Sequence, residues 1–181
     1  MAFNINQFAS ALKNGGVRSS LFQVQLNNPI NGVADIKTPF MVKAATIPGA
    51  ELNNIPVRYM GRSINVAGQR GPFPPWEVLV INDDFSIRHT IEQWNNAINS
   101  FQGNLNTLGG SSPSLYKADA QITQYSTTGE ILRVYNFVGL YPQVIAPMQV
   151  SWEQEGIQEF GVTFQYDYWQ VVSGVTGTIE A

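Results

Sequence analysis

The sequence contains no cysteine, so disulfide bonds, thiolate metal ligands and cysteine nucleophiles are all excluded. Charge is also scarce: only 13% of the 181 residues are charged, against roughly 25% in an average globular protein. The ten lysines and arginines form no run, and the net charge is −3. A dedicated nucleic-acid-binding protein needs clustered basic residues to displace the counterions of the phosphates. The composition therefore argues against that class.

Long apolar runs are absent as well. No stretch approaches the roughly 20 apolar residues of a transmembrane helix. The first residues, MAFNINQFASALKNGG, lack the basic and apolar regions of a secretory signal. We therefore expect a soluble protein that is made in the cytoplasm and has no membrane anchor.

Residues suited to catalysis or metal binding are equally sparse. His89 is the only histidine, expected on the solvent side of a helix, and a lone imidazole without cysteine forms no zinc site of the usual kind. Asp83 and Asp84 fit a helix cap better than a magnesium site. There is also an acidic cluster of Glu153, Glu155 and Glu159. This cluster fits a solvated turn better than an acid–base pair. Phosphate-cradle and nucleophile-elbow motifs are missing, so we predict no enzyme, no cofactor and no metal.

Amides take the place of charge in this sequence. Sixteen asparagines and fourteen glutamines together give 30 amide side chains. A surface that is rich in amides and poor in charge repels its own copies only weakly, which favours self-association.

Apolar alternation predicts that the fold is mainly β. In LFQVQL, for example, Phe22, Val24 and Leu26 alternate with two glutamines, which is typical of a strand with one buried face. Other strands are expected over FMVKAATIPG (40–49), IPVRYMGRSINVAGQR (55–70), WEVLVIND, YKADAQITQY and ILRVYNFVG. We expect seven or eight strands in all.

Helical spacing is found at two places. An apolar stripe predicts one substantial helix over about residues 84–101, formed by Ile87, Ile91, Trp94, Ile98 and Phe101. A short N-terminal helix is expected to pack on the domain or on a neighbouring copy, through Ile5, Phe8, Ala9 and Leu12. We expect a single domain over residues 1–181, with an N-terminal arm over 1–15 and a polar, mobile C-terminal tail over 170–181.

The stretch FGVTFQYDYW (160–169) has the strongest alternation. Its large apolar and aromatic residues are separated by Gly161, Thr163, Gln165 and Asp167. This pattern predicts one strand with a buried face and a polar face. The polar face could contact bulk water, a ligand, a neighbouring copy or an enclosed aqueous channel.

Three segments together resemble one family: residues 55–70, residues 75–101 from PWEVLVINDD through the helix, and residues 160–169. LFQVQL, YKADAQITQY and VGLYPQ fall in the matching order. The chain is similar to the tail tube protein of contractile-tailed, T-even-like bacteriophages, and the resemblance covers most of its length. The chain departs from the family in a longer 103–114 loop and in the residues after Trp169, so the contacts of both are left open.

The resemblance implies a β-sandwich or barrel-like tail-tube fold with a flanking helix, similar to that of the type VI secretion tube protein. It implies a structural protein of the virion tail, assembled in the host cytoplasm, whose hexameric rings stack into a tube for DNA ejection. The implied partners are further copies of the chain, the tail sheath, the baseplate, the tape-measure protein and the tail terminator. DNA would pass transiently and without specific binding, and no catalysis is implied.

Two sets of residues are expected at functional surfaces. The 55–70 segment alternates poorly: we expect Arg58 and Arg62 to share a face with apolar residues, so that neither face is cleanly a core face. Those apolar residues are Met60, Ile64 and Val66. The resemblance places subunit or ring contacts on Arg58, Tyr59, Met60, Arg62 and Ile64. Because a conduit should hold DNA weakly, a neutral to acidic lumen is expected. The residues predicted to face it are Gln23, Gln25, Thr163, Gln165 and Asp167.

Two other functions stay open at this point. A tube protein of a related contractile injection or type VI secretion system would have the same fold and a different cargo. A monomeric β-sandwich that binds carbohydrate is a more remote alternative, and it would use exposed tryptophans such as Trp152 or Trp169. The sequence leaves open the ring symmetry, the strands that line the lumen and the host.

Overall fold

The computed structural model describes residues 5–12, 16–108, 110, 112–153 and 155–179. Within these ranges the fold is mainly β, as predicted, with three α-helices and nine strands. The helices are α1 (Ile5–Ala11), α2 (Val33–Met41) and α3 (Ser86–Ile98). The strands are β1 (Phe22–Leu26), β2 (Val42–Ala45), β3 (Leu52–Tyr59), β4 (Arg62–Arg70), β5 (Trp76–Ile81), β6 (Ala118–Tyr125), β7 (Ile131–Ile145), β8 (Glu159–Gln165) and β9 (Tyr168–Gly174).

Strand β7 joins two antiparallel sheets. Its first part, from Ile131 to Leu140, pairs with β6 and β9, and its end, from Tyr141 to Ile145, pairs with β8. Sheet A therefore has the strand order β1-β6-β7-β9, and sheet B has the order β7-β8-β5-β2. The two sheets bury their apolar faces in one common core and stay open in the described residues. Strands β3 and β4 pair only with each other.

Aromatic side chains connect the two sheets. Trp76 of β5 stacks on Phe137 of β7, with the ring centroids 4.4 Å apart, and it also contacts Phe164 of β8. All three side chains are buried. Aromatic pairs of this kind contribute about 0.5–1.5 kcal/mol beyond the burial of their apolar area. Tyr166 lies against Phe137, and burial raises the pKa of its hydroxyl to about 12.

Helix α3 covers the core with the apolar stripe that the sequence predicted. Ile87, Ile91 and Trp94 are buried, and the Trp94 indole N–H donates a hydrogen bond of 2.7 Å to the carbonyl of Tyr116. The prediction for the end of the helix is wrong, because α3 ends at Ile98 and Phe101 is exposed. The side chain of Asn96 accepts a hydrogen bond from the Phe101 N–H, which holds the chain in a turn after the helix.

The polar residues that were predicted at the start of α3 lie there, and they also form ion pairs with a lysine of α2. The Asp84 carboxylate accepts hydrogen bonds from the Ser86 N–H and hydroxyl. It also pairs with Lys37 of α2, as Asp83 does. The hydrogen bond from Lys37, followed by those from Ser86, holds the pKa of the Asp84 carboxyl well below its usual range. Asp84 therefore supports the helix start, and both aspartates attach α2 to it, while the N-cap position itself is occupied by Phe85 with a φ of 62°.

Helix α2 was missed by the sequence analysis. Phe40 and Met41 were predicted to open a strand, but they complete α2, and β2 covers only Val42–Ala45. Pro39 lies inside the last turn of this helix. A proline there removes a backbone donor and is typical of a helix break, so it concealed the helical pattern.

The predicted strand over residues 160–169 is in fact two strands: it contains β8 from Phe160 onward and the first two residues of β9. Strand β8 ends at Gln165, the chain turns, and β9 begins at Tyr168 along β7. The predicted tail over 170–181 begins inside β9, where Val171 is fully buried and pairs with Ile179. The predicted tail is therefore part of sheet A as far as Gly174, and Ile179 adds a single bridge to it; residues 180 and 181 lie outside the described residues.

The turn between β8 and β9 is fixed by a close contact. Asp167 accepts two hydrogen bonds from Lys117 Nζ, at 2.6 and 2.7 Å, and its N–H donates to the Val138 carbonyl. Its carboxylate lies against Gly139, which has a φ of 71°. A side chain at position 139 would overlap this carboxylate. Glycine is therefore required at the point where β7 passes from sheet A to sheet B.

We expect Gly139→Ala to lower the free energy of unfolding by about 2 kcal/mol, because it adds an overlap to the cost of a positive φ. Gly129→Ala is the matched control, since Gly129 has a φ of 84° and open space around it. The control should lose only about 1 kcal/mol. Chemical denaturation of both variants measures the difference. Equal losses would contradict the role given to Asp167.

Candidate assembly interface

Strands β3 and β4 form a hairpin, residues 52–70, that stands apart from the two sheets. Its strands pair over seven register positions, and neither is hydrogen-bonded to sheet A or sheet B. Every residue of β3 is exposed, and in β4 only Gly68 is partly covered. A two-stranded hairpin is marginally stable by itself in water, so a hairpin of this length is expected to have a partner surface.

The two faces of the hairpin differ in polarity. The paired residues Ile55 and Val66, Val57 and Ile64, and Tyr59 and Arg62 share one face. The opposite face carries the pairs Pro56 and Asn65, and Arg58 and Ser63. The prediction that both arginines share a face with the apolar residues is thus right for Arg62 and wrong for Arg58, because the two-residue turn puts them on opposite faces.

The apolar face of the hairpin is open to solvent. Ile55, Val57 and Val66 are each about half exposed, and Ile64 is 64% exposed. Contiguous exposed apolar side chains of this kind mark interaction surfaces. The structure thus brings all five predicted contact residues into this one hairpin, two on β3, one in the turn and two on β4.

The tip of the hairpin is a strained turn. Met60 has a φ of 44° and Gly61 a φ of 79°, and two consecutive positive values define a type I′ turn. Such turns favour Asn-Gly, and a methionine in this position costs about 1 kcal/mol of backbone strain. Met60 is also 87% exposed. A strained, exposed, apolar tip contributes nothing to the isolated chain, which indicates a role in contact with a partner.

The predicted lumen residues lie on two different sheets. Gln23 and Gln25 lie on the outer face of sheet A, since their neighbours Val24 and Leu26 point into the core. Gln25 is paired across the sheet with Gln121, Gln121 with Asn136, and Asn136 with Gln170. One row of amide residues therefore crosses all four strands of sheet A. Sequence alternation alone could not find this row, because it depends on the pairing register.

The second set of predicted lumen residues is separated by the β8–β9 turn. Thr163 and Gln165 lie on the outer face of sheet B, next to Glu77 and Tyr141 respectively. Asp167 lies in the turn and is paired with Lys117, so it shares no strand face with the other two. The structure therefore keeps Thr163 and Gln165 together and separates Asp167 from them.

The side chains that were weighed as catalytic groups or metal ligands form no cluster in the described part of the chain. His89 is exposed on α3, and Glu159 is paired with Lys43 at 2.6 Å. In the described ranges no group of three or more histidine or acidic side chains could hold a metal ion. No described helix is long and apolar enough to cross a membrane. Of the tryptophans, Trp76 and Trp94 are buried and Trp152 is fully exposed.

The comparison with known proteins decides the family. The model of the phage tail tube protein family matches residues 3–172. The chain is 33% identical over 156 residues to the tail tube protein gp19 of Enterobacteria phage T4, a match that covers 84% of this chain and 90% of the relative. The chain belongs to the phage tail tube protein family. The tail tube protein gp19 of Enterobacteria phage T6 matches equally well, at 33% identity over the same length.

Solved structures confirm the tail-tube fold. The chain in the sheath–tube complex of the extracellular contractile injection system PVC aligns with a TM-score of 0.63 at 14% identity, over 95% of this chain and 99% of that chain. The Hcp1 protein of E. coli EAEC 042 aligns with a TM-score of 0.50 at 11% identity, over 88% and 96% of the two chains. The expected likeness to type VI tube proteins is therefore confirmed for the fold, and the chain is a structural protein of a phage tail tube.

The strain at the hairpin tip of this tail tube protein can be measured. We expect Met60→Asn to relieve about 1 kcal/mol of strain. Amide hydrogen exchange over residues 52–70 should then become slower, because the hairpin opens less often. Met60→Ala is the control, since alanine has the same difficulty with a positive φ. Equal slowing in both variants would show that the loss of the methionine side chain, and not the turn, governs the effect.

Proposed function

We propose that this chain assembles into hexameric rings that stack into the inner tube of a contractile tail. The tube is the conduit through which DNA is ejected into the host cell. The sheath surrounds it, the baseplate nucleates it, the tape-measure protein sets its length and the terminator ends it. Assembly takes place in the host cytoplasm, and the finished tube is part of the virion tail. The protein performs no catalysis in this process.

The exposed hairpin is the observation that carries this proposal. Its apolar face is not covered by any of the residues that the structure describes, and its tip holds a strained methionine. A heterologous contact, in which one surface of a copy binds a different surface of the next, generates rings and stacks. The hairpin supplies one such surface, so Arg58, Tyr59, Met60, Arg62 and Ile64 are contact residues between copies.

The identity of the relatives favours a virion over other injection machines. The two gp19 proteins share 33% identity with the chain, whereas the PVC and Hcp1 chains share its fold at 14% and 11% identity. The carbohydrate-binding alternative has less support, because a sugar platform needs more than one exposed aromatic plane. Trp152 offers such a plane, but the Trp169 indole is partly buried and donates to the Gly49 carbonyl.

The outer face of sheet B is the better lumen wall. It carries the neutral Thr163 and Gln165 beside the acidic Glu77, and its lysine, Lys43, is paired with Glu159. A neutral to acidic wall gives phosphates no basic contact, so DNA can slide. Gln23 and Gln25 then lie on the opposite side of the subunit, toward the outside of the tube.

Assembly tests the role of the hairpin. We expect the purified protein, at high concentration or with added baseplate, to form hollow tubes visible by negative-stain electron microscopy and light scattering. Ile64→Lys should abolish them, because it puts a charge on the apolar face. Asn65→Lys places the same charge on the polar face and should retain tubes. Both sites are exposed, so the stability of each monomer should change by no more than about 0.5 kcal/mol.

An unmodified protein that stays monomeric at every concentration, even with baseplate present, would contradict the tube proposal. Tubes in both lysine variants would contradict the role of the apolar face.

Cysteine labelling tests the lumen, because the natural chain has no cysteine. Thr163→Cys and Gln25→Cys should both react with a small maleimide after assembly. A maleimide on a large polymer cannot enter the channel, so it should modify Gln25→Cys quickly and Thr163→Cys slowly. Disassembled protein is the control, and there both positions should react with the large reagent. Protection of Gln25→Cys alone would reverse the assignment.

A further inference from the structure

The register of sheet B places the base of the hairpin and the loop that precedes β8 at opposite ends of this sheet. Strands β5 and β8 are antiparallel, with Trp76 opposite Phe164 at one end and Ile81 opposite Glu159 at the other. The hairpin joins β5 at the Trp76 end. The loop that precedes β8 lies at the Glu159 end. Since a strand rises about 3.3 Å per residue, β5 separates the two ends by about 17 Å.

The loop at the Glu159 end has an unusual surface. We call residues 148–153 and 155–158 the acidic loop. Trp152 is fully exposed there, and Val150 and Ile157 are more than 70% exposed. Glu153 and Glu155 are exposed as well, and the loop contains no lysine or arginine. An open cleft of about 510 Å³ lies beside this loop, and its lining is mixed: Met148, Val150 and Ile157 are apolar, whereas Glu155, Gln158 and Glu159 are polar.

The hairpin is complementary to this loop in charge and polarity. Residues 52–70 contain three arginines and no acidic residue. Neither Arg58 nor Arg62 has an acidic partner within the described part of the chain, and the ion pairs of the fold use other residues. The tip presents Tyr59 and Met60, both largely exposed apolar side chains. The acidic loop has carboxylates that can pair with the arginines, and an exposed indole and a cleft that can contact the tip.

We propose that the hairpin tip of one copy docks on the acidic loop of the next copy along the tube. Met60 and Tyr59 enter the cleft and contact Trp152, while Arg58 and Arg62 pair with Glu153 and Glu155. The inference rests on the proposed tube function and specifies which surfaces stack. Because the base of the hairpin and the acidic loop lie at opposite ends of sheet B, a contact between them is head-to-tail and can repeat along the tube axis.

Charge reversal tests this docking. Variant 1 carries Arg58→Glu and Arg62→Glu, and variant 2 carries Glu153→Lys and Glu155→Lys. Each alone would set like charges against one another at every hairpin–loop contact, so we expect light scattering and electron microscopy to show no tubes. In an equimolar mixture, each hairpin finds a loop of opposite charge on the other variant. We therefore expect tubes to return, built from copies of both variants.

A chain that carries all four substitutions is the matched control. It restores opposite charges within one sequence, so it should form tubes without a partner, whereas Asn65→Lys should leave the wild-type behaviour unchanged. Trp152 gives a second readout, because the indole should leave water on assembly and become less accessible to acrylamide. The same loss of quenching should be absent in a Trp152→Phe protein, in which only the other three tryptophans report.

The outcomes separate this inference from the tube proposal. If the wild-type protein and variants 1 and 2 all formed tubes, the docking would be overturned and the tube function would be left intact. The docking would also be overturned if the mixture and the fourfold variant stayed monomeric while wild type assembled, or if Trp152 stayed fully quenchable inside tubes. A wild-type protein without tubes in the presence of baseplate would overturn the tube function itself.

Discussion

The sharing of β7 between two sheets is the constraint on which the subunit depends. One strand of fifteen residues holds β6 and β9 along its first part and β8 along its end. The change of partner requires Gly139 in a left-handed conformation and leaves no space for a side chain beside Asp167. Once this crossing is fixed, the Trp76–Phe137 stack can form between the sheets. The direction of sheet B, and so the positions of its two ends, follow from it.

The polar and apolar groups of the chain divide into two populations. In the core, the buried Trp94 donates its hydrogen bond to the Tyr116 carbonyl, whereas the buried Arg133 Nε and Asn136 Oδ1 have no hydrogen-bond partner among the described residues. The apolar side chains of the hairpin, and Val150, Trp152 and Ile157 in the acidic loop, remain in water in the isolated chain. An assembly that covers them stabilises the folded state by mass action. The stability of the tube is therefore expected to exceed that of the monomer.

Sequence patterns predicted the parts of the fold that depend on local spacing. Alternation found β1, β5 and β6, and the apolar stripe found the buried face of α3, because each pattern reflects a single element against the core. The division of residues 160–169 between β8 and β9 depends on which strand each half pairs with, and no local pattern records this. Helix α2 was missed because Pro39 resembles a stop signal.

The candidate interface could be predicted only in part, because local patterns do not record which residues pair across strands. Poor alternation in residues 55–70 indicated that neither side of the segment was a core face, and the hairpin confirms this. The face of Arg58 was predicted wrongly, because a two-residue turn changes the relation between the two strands. The amide row from Gln25 to Gln170 and the opposition of the hairpin to the acidic loop both depend on register. A single sequence does not show which strands pair with one another over long distances along the chain.

The few charged side chains of this chain include some that form ion pairs within the subunit and some that do not. Lys37, Lys43, Arg88 and Lys117 are all engaged in ion pairs inside the described fold. Arg58 and Arg62 on the hairpin, and Glu153 and Glu155 in the acidic loop, have no ion-pair partner among the described residues. Opposite charges at opposite ends favour head-to-tail approach and oppose head-to-head approach, because like charges then face each other. A chain with so few charges can therefore still define the direction in which its copies stack.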